Sequence, residues 1–175
     1  MKTAFALGGS AGIGKAIVNK LLAEGYKVGV IARDQTRLDQ IVAEAGDKVA
    51  VASADVADFG VLDFAVACLV EKLGAPQVWV NCAMITSFSP FKDMEIEEFH
   101  RIVSVTFMGQ VHGTKQALKY MPTGNIVNIG SGLTYRSVPL QSAYCAAKHA
   151  FNGFTSSVRS ELMAEGNNNL HLSLV

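Results

Sequence analysis

The sequence has no excess charge of either sign: 15 basic residues balance 15 acidic ones over 175 positions. A chain without a net field has nothing to draw it to nucleic-acid phosphates or to an anionic membrane surface, so neither is expected as a partner. Cysteine is scarce too. Cys68, Cys82 and Cys145 are odd in number, widely spaced and free of any CxxC pair. That excludes a disulfide framework and a cysteine zinc site, and it points to a reducing compartment, the cytoplasm by default. His100, His112, His149 and His171 have no close ligand spacing, so no metal is expected. No apolar run is long enough to span a bilayer, and the stretch before Gly8-Gly9 is too short for a secretion signal. Repeats, low-complexity tracts and linkers are absent as well, and residues 1–175 are read as one domain.

What is present is an alternation. Half of the chain is apolar, and short apolar or β-branched runs recur at 3–7, 27–32, 49–53, 78–80, 125–129 and 170–175. These read as six buried strands. Between them lie segments of helical period at 13–24, where Ile17, Leu21 and Leu22 share a face, and at 35–45, 61–73, 96–121 and 143–165. Such alternation, with crossovers long enough for parallel pairing, predicts an α/β fold. The sheet is doubly wound and parallel, of the Rossmann type, in three layers, with ligands at the carboxyl ends of the strands. The chain stops with the last strand, so elements beyond a sixth strand are expected to be absent.

The first strand runs into Gly8-Gly9-Ser10-Ala11-Gly12-Ile13-Gly14 and then a helix. Glycines at such a turn let the backbone approach a pyrophosphate, whose charge is met by amide N–H groups and the helix N-terminus. The spacing is G-x-x-x-G-x-G; the G-x-G-x-x-G pattern is missing, since Ile17 stands where its third glycine would. Gly8, Ser10, Gly12, Ile13 and Gly14 are the candidate cofactor contacts, and a tight turn without a ligand is the alternative. After the second strand, Arg33 and Asp34 compete. An acid there binds a free ribose hydroxyl, and an arginine pairs with a 2′-phosphate. Asp34 lies twenty residues after Gly14, which suits NAD, whereas Arg33 directly follows the apolar strand end and is placed to reach into the site.

Gly130-Ser131 follows the fifth strand run, and thirteen residues after Ser131 comes Tyr144, with Lys148 four residues further along a long helix. Residues four apart share a helical face, so both can project into the cleft at the carboxyl edge of the sheet. A phenol titrates near pH ~10 in water, and a neighbouring ammonium with an oxidised nicotinamide would favour the phenolate, which suits proton exchange with an alcohol. Ser131 can hydrogen-bond the reacting oxygen. A Tyr/Lys pair at this spacing is common on exposed helices; the order of glycine turn, arginine, serine and Tyr/Lys is what makes the pattern specific.

In that order the chain resembles the short-chain dehydrogenase/reductase family, in its single-domain branch, over essentially its whole length. Gly8, Gly12 and Gly14 match the family's glycine turn, Asp55-Val56 its adenine-contacting pair, and Ser131, Tyr144 and Lys148 its catalytic serine, tyrosine and lysine. The resemblance implies that Tyr144 is the acid/base, that Ser131 orients the substrate oxygen, and that Lys148 holds the nicotinamide ribose and lowers the tyrosine pKa. Cofactor contacts are implied for Asp55, Val56, Asn81, Ala83, Tyr144 and Lys148. Arg33, with Ala32 where NAD-using members carry an acid, resembles the NADP-preferring pattern, so NADP is expected over NAD. The expected partner is a small alcohol or carbonyl substrate, as in a carbonyl reductase, and the family implies a homo-oligomer.

Several positions depart from the family pattern. Leu7 replaces the threonine of the turn, Asn81-Cys82-Ala83-Met84 replaces N-N-A-G, and Thr106 replaces the asparagine of N-x-x-G. The P-G turn and substrate-covering loop that follow the sixth strand in the family are not present. These departures keep open a second expectation, a non-catalytic NADP-binding module or inactive fragment of such an enzyme. Cys82 and Cys145 fall near the expected cleft and read as small core fillers. Phe99, Val103, Phe107 and Val111 form a helical stripe expected to face the core.

Overall fold

The computed structural model describes residues 2–175. Six strands, β1 (Thr3–Leu7), β2 (Lys27–Ala32), β3 (Val49–Ser53), β4 (Val78–Asn81), β5 (Gly124–Asn128) and β6 (Leu170–Leu174), form one parallel sheet. Their order is β3-β2-β1-β4-β5-β6. The connections are the helices α1 (Gly12–Ala23), α2 (Gln35–Ala45), α3 (Phe59–Leu73), α4 (Ile96–Val103), α5 (Gly109–Tyr120) and α6 (Ser142–Ala164). This is the doubly wound α/β fold that the alternation predicts.

The central strands β1, β2 and β4 bury both faces, which is why their runs are apolar without alternating polar residues, whereas β6 at the sheet edge alternates, with His171 and Ser173 exposed. Ala6, Val28 and Val30 pack with Val18 of α1 and with Leu38 and Ile41 of α2 on one side. Phe5, Leu7 and Ile126 pack with Leu62, Val66 and Leu69 of α3, Ala117 of α5 and Leu162 of α6 on the other. Asp34 and Asp58 begin α2 and α3 as side-chain caps, accepting from the amides of Arg37 and Val61 at 3.1 and 3.0 Å. Ala11 begins α1 with no side-chain cap, which leaves that helix's first amides free to meet an anion.

The helical run at 96–121 is not one helix. A π-helical turn over Ser104–Met108 separates α4 from α5, and the Gly109 amide reaches back to the Ser104 carbonyl. The wider turn changes which residues face inward. Phe99, Val103, Phe107 and Val111 are only half-buried, and the buried face is Ile102, Val105, Thr106, Gln110, Thr114 and Ala117. The apolar stripe expected to face the core is therefore a flank. The inward face of α5 is made of small and polar residues that let the helix settle close to β4.

The strand order reverses between β1 and β4, where one crossover leaves to each side. A crevice opens beyond the carboxyl ends of strands at such a point.

Candidate active site

The crevice is a cleft of about 710 Å³. Its first wall is the turn between β1 and α1, where Gly8, Ser10, Gly12, Ile13 and Gly14 all line the cleft. Gly8 has φ 81°, and a Cβ on it would lie 2.6 Å from the Ala83 backbone. A Cβ on Gly14 would lie 2.1 Å from the Gly8 carbonyl oxygen. Both positions must be glycine for the turn to close with the uncapped end of α1 facing the cleft. The free amides and the close backbone approach fit a pyrophosphate, so a dinucleotide suits this cradle.

At the end of the cleft beside β2 the lining includes Arg33, Asp34 and Arg37, with Ala54 and Val56 also present. Asp34 does not offer a free carboxylate. One oxygen accepts from the Arg37 amide, and the other lies 3.2 Å from Arg37 Nε. Arg37 was not legible as a site residue; the signal was its place three residues after a helix cap, in the first turn beside the end of β2.

The opposite end is lined by Ser131, Tyr144 and Lys148, together with Ile129, Met84 and Ile85. Helix α6 begins at Ser142 and carries Tyr144 and Lys148 on one face, with the Lys148 Nζ 5.8 Å from the Tyr144 ring centroid. Lys148 is 1% exposed and donates to the Ile129 carbonyl at 2.7 Å. Burial pushes its pKa down to about 8, against a smaller opposing pull from the Cys82 thiol. The same burial raises the Cys82 thiol, with Lys148 opposing. Ser131 caps a short turn: its Oγ accepts from the Leu133 amide at 3.1 Å, which leaves the hydroxyl proton free to donate to a bound oxygen. Ala83 and Val56 line the cleft, as does Cys82.

Two expected cofactor contacts are directed elsewhere. Asn81 is fully buried below the cleft; it accepts from the Trp79 indole and donates to Thr114 and Asn128. The Asp55 carboxylate accepts from the Ala57 amide and from Arg101 of α4. Burial works to raise its pKa, but the amide and Arg101 together with Arg33 hold it below the ordinary carboxylate value. Thr106, in the π-helical turn, clamps both backbone groups of Ile85, donating to its carbonyl at 2.7 Å and accepting from its amide at 3.0 Å.

Among the described residues there is no cluster of histidine, cysteine or acidic side chains that could hold a metal ion, and no helix is long and apolar enough to cross a membrane.

Comparison with known proteins agrees with this geometry. An uncharacterized oxidoreductase of Bacillus subtilis is 30% identical over 165 residues, which cover 90% of this chain and 46% of that protein, so the chain spans about half the length of that relative. A 3-oxoacyl-[acyl-carrier-protein] reductase of Synechocystis is 34% identical over 173 residues, 94% of this chain and 70% of the relative. The solved structure of an alcohol dehydrogenase from the archaeon Thermococcus sibiricus, complexed with 5-hydroxy-NADP, superposes with a TM-score of 0.91 at 25% identity, over 99% of this chain and 74% of the other. The family model for short chain dehydrogenases matches residues 2–168, and the chain belongs to that family of NAD(P)-binding oxidoreductases.

Proposed function

We propose that this chain is the nucleotide-binding and catalytic portion of an NADP-dependent oxidoreductase that interconverts an alcohol and a carbonyl compound. The observation that carries the reading is one cleft lined at one end by Arg33 and the glycine turn and at the other by Ser131, Tyr144 and Lys148. The dinucleotide, when bound, supplies or accepts the hydride at the substrate carbon. The Ser131 hydroxyl donates to the substrate oxygen and holds it beside Tyr144. In the reducing direction the Tyr144 hydroxyl gives its proton to that oxygen as the alcohol forms; in the oxidising direction the phenolate takes it back. The Lys148 ammonium donates to the ribose and stabilises the phenolate by its charge. Arg33 meets the 2′-phosphate, which an Asp34 already engaged by Arg37 does not oppose as a free acid would. All three cysteines are free, which suits a reducing cytoplasm. A homo-oligomer remains part of the proposal through the family alone.

The test is a fluorescence titration with NADPH and, in parallel, NADH, followed by a screen of alcohol and carbonyl substrates. Tight NADPH binding that is lost in Arg33→Ala supports the cofactor assignment; equal binding of both nucleotides overturns it. Turnover that survives Tyr144→Phe removes the mechanism. A second reading, a dinucleotide-binding module without turnover, draws on Thr106, whose hydroxyl is spent on Ile85. It predicts that binding is intact and that no substrate is turned over.

A further inference from the structure

Gln110 is 1% exposed, on the inward face of α5 just past the π-helical turn. Its side-chain amide donates to the Thr106 carbonyl at 3.1 Å and makes a longer contact, 3.5 Å, to the Ala83 carbonyl. Its Oε1 is buried with no hydrogen-bond partner among the described residues. A buried amide oxygen left unpaired costs free energy, and an apolar side chain of the same volume would avoid that cost. Packing therefore does not account for a glutamine here; its donor must serve the groups it touches.

Those groups belong to the wall of the cleft. Ala83 and Ile85 both line it, and Thr106 holds the two backbone groups of Ile85. Ala83 in turn abuts the glycine turn, since a Cβ on Gly8 would lie 2.6 Å from the Ala83 N and Cα atoms. The Cys82 amide also donates to the Leu7 carbonyl at 2.9 Å. A line of direct contacts thus runs from α5 through residues 83–85 to the turn that receives the pyrophosphate. In a close-packed wall, a shift of Ala83 is passed to Gly8.

We propose that Gln110 is a positioning residue for the dinucleotide: with Thr106 it fixes the wall at residues 83–85 against which the glycine turn is seated. This rests on the nucleotide-binding reading above, and it differs from the role of Arg33 in one respect. Gln110 acts through the pyrophosphate turn, so its loss weakens NADPH and NADH alike.

The experiment compares wild type with Gln110→Leu and Gln110→Glu. Affinities for NADPH and NADH are measured by titration, thermal melts establish that each variant is folded, and hydrogen exchange of the peptide spanning residues 82–86 is followed without cofactor. Gln110→Leu is expected to bind both nucleotides about tenfold more weakly and to exchange faster at residues 83–85. Wild-type affinity together with wild-type exchange overturns the proposal. So does a lowered melting temperature with unchanged affinity, because a merely structural role would give that result.

Gln110→Glu keeps the shape and removes the donor when ionised, but regains one when protonated. Its affinity for NADP⁺, relative to wild type, should recover as the pH falls from about 9 to about 5.5. A relative affinity that is flat over that range overturns the proposal even where Gln110→Leu does not fold. If wild type binds neither nucleotide, the oxidoreductase reading fails, and the exchange of residues 83–85 still decides whether Gln110 holds the wall.

Discussion

The Lys148 ammonium donates to the Ile129 carbonyl oxygen at 2.7 Å while almost entirely shut off from water. The strand that carries Ile129 towards the cleft and the helix that carries Tyr144 are thus tied through the same cation that acts on the cofactor ribose in the proposed mechanism. A buried cation with one neutral acceptor is poorly compensated, and its pKa falls from 10.5 to about 8.

That depression makes the stability of the fold depend on pH. The unfolded chain keeps this proton up to pH 10.5, whereas the folded chain releases it at about 8. Between those values the unfolded state holds more protons, so stability rises with pH, by roughly 3 kcal/mol in all; below about pH 8 the cost is present in full. Lys148→Met removes the titration. Urea unfolding should find the variant more stable than wild type at pH 7, with the gap closing as the pH approaches 10. Turnover should move the other way, absent in the variant and declining in wild type above about pH 8 as the ammonium discharges. A constant gap in stability across this range would show that Lys148 is not the group responsible.

Arg37 lines the cleft beside Arg33, at the end proposed to take the adenosine, and its Nε is held 3.2 Å from Asp34. The terminal nitrogens of its guanidinium remain available to a 2′-phosphate, so Arg37→Ala should weaken NADPH by about fivefold and leave NADH unchanged. Asp34→Asn keeps a capping oxygen while removing a negative charge from beside the phosphate. It should strengthen NADPH slightly and cost NADH nothing, since the carboxylate is already engaged. Parallel titrations check both variants; loss of NADH affinity in Asp34→Asn would mean that the acid reads the ribose after all.

The backbone course was largely legible in the sequence, and the side-chain partnerships much less so. β1, β2 and β3 fall on the runs that predict them because each is a short apolar segment cut off by glycine or charge. The π-helical turn at Ser104–Met108 was not legible, since one wider turn barely alters an apolar period. Ser131, Tyr144, Lys148 and the glycine turn line one cleft because their places at strand ends and helix starts follow from topology. Beyond the neighbouring Ala57 amide and Trp79 indole, Asp55 and Asn81 are held by Arg101, Thr114 and Asn128, which lie tens of residues away on α4, α5 and β5, and nothing local announces those three. Gln110 was hidden for the same reason: one glutamine in a helix reads as surface until the helix is packed.

The glycines of the turn should tolerate replacement unequally. Gly12 has φ 51° but nothing within 4 Å of an added Cβ, so Gly12→Ala meets only backbone strain, about 1 kcal/mol. Gly14→Ala drives a methyl group to 2.1 Å from the Gly8 carbonyl oxygen, and the turn must open to admit it. Dinucleotide affinity should fall by roughly a hundredfold or more in Gly14→Ala, a loss of about 3 kcal/mol, and by much less in Gly12→Ala. Calorimetric titration of the two variants gives the ranking, and equal losses would argue against a cradle closed by Gly14 on Gly8.

Asn81 separates a structural role from a direct cofactor contact. Its Oδ1 accepts from the Trp79 indole at 2.9 Å, and its Nδ2 donates to Thr114 and to Asn128 at 3.1 and 2.8 Å. Asn128 continues the chain to Thr155 of α6, so one buried amide joins β4, β5, α5 and α6 beneath the cleft. Asn81→Ala leaves the indole N–H without an acceptor and the Asn128 oxygen without a donor, at a cost of about 3 kcal/mol. Thermal unfolding should register that loss. Dinucleotide affinity, measured well below the melting temperature, should change less than threefold, that is by under ~1 kcal/mol. A variant that keeps its stability but loses the cofactor would put Asn81 in the cleft, against the hydrogen bonds that hold it below.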